Sequence, residues 1–424
     1  MRALWFAIRS SGLWAVIAVL SALAALVMQR SPSYAVGSWL AAGAHGAELA
    51  FFLSPFAAAT AAWTASVGER AGLDEQLSAA AKSRWRIDSV ALVAVVCTAL
   101  VPYIVGHAVG FALTARTFPP GLQWWLRYLV LGAATLVLAV AIGWLFGRLF
   151  PPIWSVVAAA VLTLAWQMYA PTKSGILVAS GEPWEGPALS ALVVRCVLAA
   201  GLIVGSSCLA FKRNDQNRRG RFVAAGLVSM FAVTLFSVQQ SHVIALRDIP
   251  DDPTCTGEAV TVCLWPEDER QIALVEWFDP RLHDLPPVLA LPDTVYQYGL
   301  LRSELVDGAG KVHIEPTGFD ISETNRWSYA MAMSEEIGNE ILEACPPIDG
   351  IGEYAFAGVV KWIEFRLMRS VTPDYRVSGA PPDMEAAWDE AKDVTENFSE
   401  SDQFVWVVEK LETVVGADCP LLQQ

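Results

Sequence analysis

The side chains that could do chemistry are few and scattered. The five histidines are His45, His107, His242, His283 and His313, and no two stand at a spacing that shares a metal ion. A zinc peptidase needs two ligands on one helical face, as in H-E-x-x-H, and no such run occurs. "DGAGKVH" around Lys311 lacks the glycine spacing and the Ser/Thr of a phosphate-binding loop, so it reads as a turn between strands. No G-x-S-x-G is present either. The expectation is therefore a chain with no catalytic residue, no metal, no cofactor and no means of hydrolysing ATP by itself. "SEEIGNEILEAC" stacks Glu336 and Glu340 one helical turn apart, a pair that could move protons or hold calcium but reads first as a solvated helix face. Ionisable residues within apolar runs are more informative, because each is costly there. His107 lies deep in one such run and Arg195 lies about eight residues into another. Arg195 reads as a snorkelling cation. With Glu185 or Glu48 as partner it would form a structural pair or part of a substrate path. Glu48 and Asp88 sit at the ends of apolar runs, within reach of water.

Cysteines divide into two groups. Cys97, Cys196 and Cys208 lie in apolar runs and read as small buried hydrophobes. Cys255, Cys263, Cys345 and Cys419 share the acidic C-terminal part, where an even number predicts two disulfides and an oxidising, extracytoplasmic compartment. Three connectivities are open. Cys255–Cys263, closing a short loop, with Cys345–Cys419 pinning the chain end, is the favoured one.

The elements that must position these residues follow from composition. Residues 1–245 carry 17 Lys/Arg against 8 Asp/Glu, whereas residues 246–424 carry 12 against 35. Such asymmetry predicts a membrane part with basic loops and a water-facing acidic part, and it excludes nucleic acid as a partner. Seven stretches approach the roughly 20 apolar residues a membrane helix needs: 11–28, 47–67, 88–113, 126–147, 153–170, 187–211 and 222–240. With the N-terminus in the cytoplasm, Arg2, Arg9, Arg70, Lys82, Arg84, Arg86, Arg148, Lys212, Arg213, Arg218, Arg219 and Arg221 fall inside. Only Arg30, Arg116, Arg127 and Lys173 fall in the outer loops of the membrane part. The positive-inside rule thus predicts a multi-pass protein of the cell membrane with residues 242–424 outside. Trp124, Trp125 and Trp184 suit the headgroup level.

Between the second and third spans lies "VGERAGLDEQLSAAAKSRWRID". Leu73, Leu77, Ala80, Ala81 and Trp85 form a narrow apolar stripe at helical spacing, with Asp74, Glu75, Ser78 and Lys82 opposite. Acidic residues lead and basic residues close, which suits the helix dipole. Read from its residues alone, this is an interfacial helix joining two spans. An N-terminal helix "MRALWFAIRSSG", a span, an outer loop, a second span and this cytoplasmic helix together resemble the opening of type-2 ABC exporter permeases. The match rests on Glu69, Arg70, Gly72, Glu75, Leu77, Ser83 and Arg84, and covers roughly residues 1–211. The resemblance implies that 69–86 is a coupling helix docking on a separate cytoplasmic ABC ATPase, with Leu73, Leu77 and Trp85 in the contact. It also implies a homodimer or pairing with a second permease.

The fold class expected is an α-helical polytopic membrane domain, six permease-like spans over 1–211 plus a seventh, followed by a mainly helical α+β extracytoplasmic domain. A basic linker and the seventh span occupy 212–241, and the acidic domain 242–424. Its opening, "CTGEAVTVCLWPEDERQIALVEWFDPRLHDLP", is similar to a domain attached to permease-like proteins of actinobacteria, which implies topology and no chemistry. "EAVTVCLW", "DTVYQYGLL" and "KVHIEP" predict strands, and a helix begins at Pro266. Further helices are expected over 322–344, 353–370, 384–396 and 401–415, the last announced by Ser399 and Asp402 at capping-box spacing. The competing expectation is a polytopic anchor that displays this domain for binding or sensing.

Overall fold

A computed structural model describes residues 13–30, 37–66, 84–169, 181–208, 243–306, 312–319, 325–347, 353–372 and 381–423. The chain is mostly helical and divides into two compact units, Met1–Arg247 and Asp248–Gln424. The seventh apolar stretch, 222–240, and the linker before it lie outside the described residues.

The first unit contains α1 (Leu13–Arg30), α2 (Trp39–Ala65), α3 (Arg84–Thr114), α4 (Leu122–Leu149), α5 (Pro152–Tyr169) and α6 (Leu189–Cys208), with short strands β1 (Glu185–Pro187) and β2 (Ile244–Leu246). Helix α2 is the hub. It packs on α3, α4 and α5, and 17 of its 27 residues are buried, most of them alanine. It begins eight residues before the apolar window at 47 opens, because His45 and Glu48 dilute the apolar signal of its first two turns. Ser38 caps this earlier start by accepting from the Ala41 N–H.

Small residues set the packing distance between α2 and α4. A Cβ added at Gly143 would stand 2.0 Å from the Ala58 carbonyl oxygen, and one at Gly147 would stand 2.4 Å from that of Ala62. "GWLFG" on α4 thus faces Ala58 and Ala62 as two small-xxx-small ridges, the pattern that lets helix backbones approach closely. Gly121 starts α4 at φ 95°, a left-handed conformation that glycine adopts without steric cost.

The outside of this unit is apolar. Trp14, Leu23 and Leu26 on α1, Phe52 and Phe56 on α2, Ile153, Trp154 and Val161 on α5, and Val197 on α6 are all exposed. In the second unit, only Ile249, Leu301, Met331, Phe398 and Val405 among the described large hydrophobic residues are exposed. Two helical stretches, Asp88–Thr114 and Leu122–Leu149, are long and apolar enough to cross a membrane.

The second unit has a three-stranded sheet in the order β3 (Thr254–Thr256), β4 (Thr261–Leu264), β5 (Thr294–Tyr296), antiparallel then parallel. The parallel pair is joined through a 3₁₀ turn, Pro266–Gln271, and α7 (Ile272–His283). A hairpin of β6 (Leu301–Val306) and β7 (Val312–Thr317) follows, and "DTVYQYGLL" is cut into β5 and β6 at Gly299, φ 83°. Helices α8 (Arg326–Ala344), α9 (Glu353–Met368), α10 (Pro382–Asn397) and α11 (Glu400–Val415) complete the unit. Their apolar faces and the sheet enclose one core around Trp362, Ile363, Met333, Val407 and Tyr329, whose ring stacks on Phe278 at 4.4 Å. Ser399 caps α11, accepting from the Asp402 N–H.

Candidate functional site

The expected coupling residues Glu69, Arg70, Gly72, Leu73, Glu75 and Leu77 lie outside the described residues, and Arg84 and Trp85 stand on the first turn of α3. One turn further on, the Asp88 carboxylate meets the Arg148 guanidinium at 2.6 Å, with both side chains largely buried. The sequence put Asp88 within reach of water. It has instead a partner on the last turn of α4, whose guanidinium also lies 5.4 Å from the Trp144 ring centroid. An acid near a helix N-terminus and a base near a helix C-terminus each oppose the local dipole charge, so the pair is favoured twice over. It fixes the start of α3 to the end of α4. Glu48, by contrast, is half exposed and faces His45 at 3.2 Å.

Helix ends sort into two groups within this unit. Trp39 Nε1 donates to the Pro119 carbonyl at 2.6 Å, and its ring packs on Phe111 and Trp125. The start of α2, the end of α3 and the start of α4 therefore meet at one end. β1 and β2 pair at that end too: Arg247 donates its backbone N–H to the Trp184 carbonyl. The Trp124 ring has the guanidinium of Arg127 4.3 Å and that of Arg247 4.1 Å from its centroid. Met28 near the end of α1 packs at Gly110 of α3, close to the same end. The end of α2 and the Asp88–Arg148 pair mark the other end.

His107 is enclosed. Its ring stands edge-on to Tyr103 at 4.5 Å and to Trp125 at 5.5 Å. A Cβ at position 46 would lie 2.4 Å from His107 Cε1, so Gly46 makes room for the ring. Neither ring nitrogen makes a hydrogen bond of normal geometry among the described residues, and the Gly46 backbone is the polar group beside it. Tyr103 Oη in turn lies 3.1 Å from the carbonyls of Tyr128 and Leu129, in space that Gly132 leaves open. Arg195 is buried on α6. The buried imidazole thus packs at the contact of α2, α3 and α4.

In the second unit Cys255 and Cys263, opposite each other on β3 and β4, and Cys345 and Cys419, are at disulfide distance, with Cα separations of 4.0 and 5.6 Å. These are the two pairs favoured from sequence. Sequence reasoning missed the buried Asp268, which accepts from Gln297 Nε2 at 2.7 Å and from Arg270 Nε at 3.2 Å. Gln297 Oε1 accepts from the Trp265 N–H at 2.9 Å, so the amide ties the turn after β4 to the loop after β5. Burial holds the Asp268 carboxyl above its usual range, and these donors oppose that shift. Glu336 and Glu340 are partly buried rather than a fully solvated face. Burial, then Glu340, raises the Glu336 carboxyl, and burial, then Glu364 and Glu336, raises that of Glu335. Glu258, Asp279 and His283 come together, but Asp279 Oδ1 already accepts the Glu258 and Ala259 N–H groups and acts as a turn clamp.

No protein-family model, curated protein sequence or solved structure matches this chain.

Proposed function

We propose that the chain is the membrane-spanning subunit of an ABC exporter, driven by a separate cytoplasmic ATPase that docks on segment 69–86. The observation that carries this reading is the Asp88–Arg148 pair. It ties α3, whose first turn closes segment 69–86 in the chain, to α4, which packs on the hub, so a displacement of the start of α3 would pass to the end of α4. The apolar exterior of the helical unit supports a lipid environment, since soluble surfaces rarely show so large an exposed apolar area. The reading includes six spans with both ends inside, a seventh over 222–240, and an extracytoplasmic second unit whose two cysteine pairs suit an oxidising compartment.

The test is recovery of a P-loop ATPase with the protein isolated from its native membrane. Leu77→Asp would put an unpaired charge into the docking contact. It should abolish both ATPase recovery and transport while leaving membrane insertion intact. Normal ATPase recovery with Leu77→Asp, or none with the unmutated chain, defeats the reading.

A second reading is a polytopic anchor displaying a binding domain. It is favoured by one observation: the second unit has its own closed core and an arginine-lined cleft unrelated to the helical unit.

A further inference from the structure

The second unit is strongly acidic, yet four of the 12 Lys/Arg of residues 246–424 gather in one place. Arg281 stands in the last turn of α7, Arg326 opens α8, Arg366 ends α9 and Arg369 follows it. Arg281, Arg366 and Arg369 line a cleft of about 460 Å³ with Phe365 and Leu285 as its apolar wall. Arg326 adds its charge from beside it: the guanidinium carbons of Arg281 and Arg326 lie 3.3 and 4.2 Å from the centroid of the same Trp277 ring.

Gathering like charges is unfavourable unless something compensates it. Burial, then repulsion from Arg369 and Arg326, pulls the Arg281 guanidinium below its usual range, and Asp284 offsets this only in part. Arg281 donates to the Trp277 carbonyl, but its Nε is buried with no hydrogen-bond partner among the described residues. Two carboxylates reach the cleft. Asp284 holds Arg369 at 2.8 Å, and Glu400 holds Arg366. Both acids are more than half exposed, so these are pairs that water and a competing anion can displace. Arg369 also sits at φ 51°, a left-handed conformation uncommon for a residue with a side chain. Among the described residues, four guanidinium groups stand against two carboxylates, an excess of two positive charges.

We infer that this cleft binds a small organic dianion, bearing carboxylate or phosphate oxygens for the arginines and an apolar part for Phe365 and Leu285. Guanidinium forks match both kinds of oxyanion in two-point hydrogen bonding, and the cleft falls within the usual size of small-ligand sites. Asp284 and Glu400 hold the arginines in place until the ligand's own oxygens replace them. The inference does not depend on the permease reading, because it needs no ATPase and no transport.

The test uses the full chain in nanodiscs of zwitterionic lipid, titrated calorimetrically with phenyl phosphate and with phthalate; benzyl alcohol is the uncharged control. Saturable binding of at least one dianion that weakens with salt is expected, with none for the alcohol. Arg369→Gln, at a side chain 63% exposed, should weaken binding about tenfold without changing the thermal unfolding of the protein. Glu400→Gln should tighten it several-fold by releasing Arg366. That gain separates a ligand site from a set of structural ion pairs, for which the same change would lower stability and alter no binding. Competition by phosphatidate in the disc, whose phosphomonoester matches that of phenyl phosphate, would identify a lipid headgroup as the source of the anion; its absence would identify a soluble one. Absence of saturable binding by the unmutated chain and by Glu400→Gln, or binding indifferent to Arg369→Gln, overturns the inference.

Discussion

Gly143→Ala tests the packing of the helical unit at its tightest point. The added Cβ would stand 2.0 Å from the Ala58 oxygen and 2.7 Å from the Ala58 carbonyl carbon and Cα, where ordinary contact begins near 3.4 Å. All three atoms are backbone, so no rotamer change relieves the clash, and α2 and α4 must part locally by about 1.4 Å, the difference between 3.4 and 2.0 Å. A gap of about 0.5–1 Å already forfeits a quarter to a half of each dispersion contact. The buried cluster of Ala58, Ala62, Ala139 and Ala159 lies directly beside the seam. Overpacking of this kind costs roughly 1–3 kcal/mol, which outweighs the gain of about 1 kcal/mol expected for replacing glycine by alanine in a helix. The matched control is Gly201→Ala on α6, where nothing lies within 4 Å of the new carbon and only the propensity gain remains. In detergent, thermal unfolding followed by size-exclusion fluorescence should shift down for Gly143→Ala, further down for Gly143→Leu, and stay level or rise for Gly201→Ala. Gly143→Ala unfolding at or above the unmutated temperature would refute the seam.

Other outcomes follow from charge and covalent structure. Asp88→Asn leaves the Arg148 guanidinium largely buried without its countercharge and should cost about 1–3 kcal/mol, the cost of an unmet hydrogen-bonding group; the reciprocal exchange of the two side chains should restore part of it in a double-mutant cycle, and strict additivity would show that the pair does not couple. Glu335 and Glu336 have raised carboxyl pKa values in the fold, so their ionised forms oppose folding: the penalty is complete above the raised values and disappears as pH falls through them to below the ordinary 4.5. Glu335→Gln should therefore raise the unfolding temperature of the acidic unit at neutral pH and change little in acid; an effect that persists in acid would show another cause. Cys345→Ser should cost more stability than Cys255→Ser, about 4.5 against 2.5 kcal/mol in the chain-entropy account, because it opens a separation of 74 residues rather than 8; equal losses on unfolding in denaturant would count against that account.

What could be read from the sequence depends on how local the responsible physics is. The helices beginning at Leu13, Leu122 and Pro152 follow their apolar windows closely, and Ser399 marks the start of α11 through its own backbone contact. The cysteine pairing was legible because one pair is eight residues apart and the other is what remains. The Gly143–Gly147 spacing was visible, but its meaning depends on Ala58 and Ala62 lying opposite, and four-residue spacings of small residues are frequent in apolar helices. Asp88 looked solvated because its partner lies 60 positions away on another helix. β1 and β2 are three residues each, too short for any alternation to register. The arginine cleft draws on α7, α9, α10 and α11, so no window of sequence contains it.

The β1–β2 pair bears on topology in a way that hydropathy cannot. Glu185 pairs with Leu246 and Pro187 with Ile244, so the chain leaves one end of the helical unit after Pro187 and is back at that end by Ile244. Helix α6, with 20 residues, accounts for about 30 Å of travel away from it. The Arg247 guanidinium, 4.1 Å from the centroid of the Trp124 ring, puts that return at the end where α4 begins, away from the Asp88–Arg148 pair at its other end. Two strands of three residues each thus fix where the chain stands at positions 57 to 61 residues apart, a constraint carried by backbone pairing and not by apolar length.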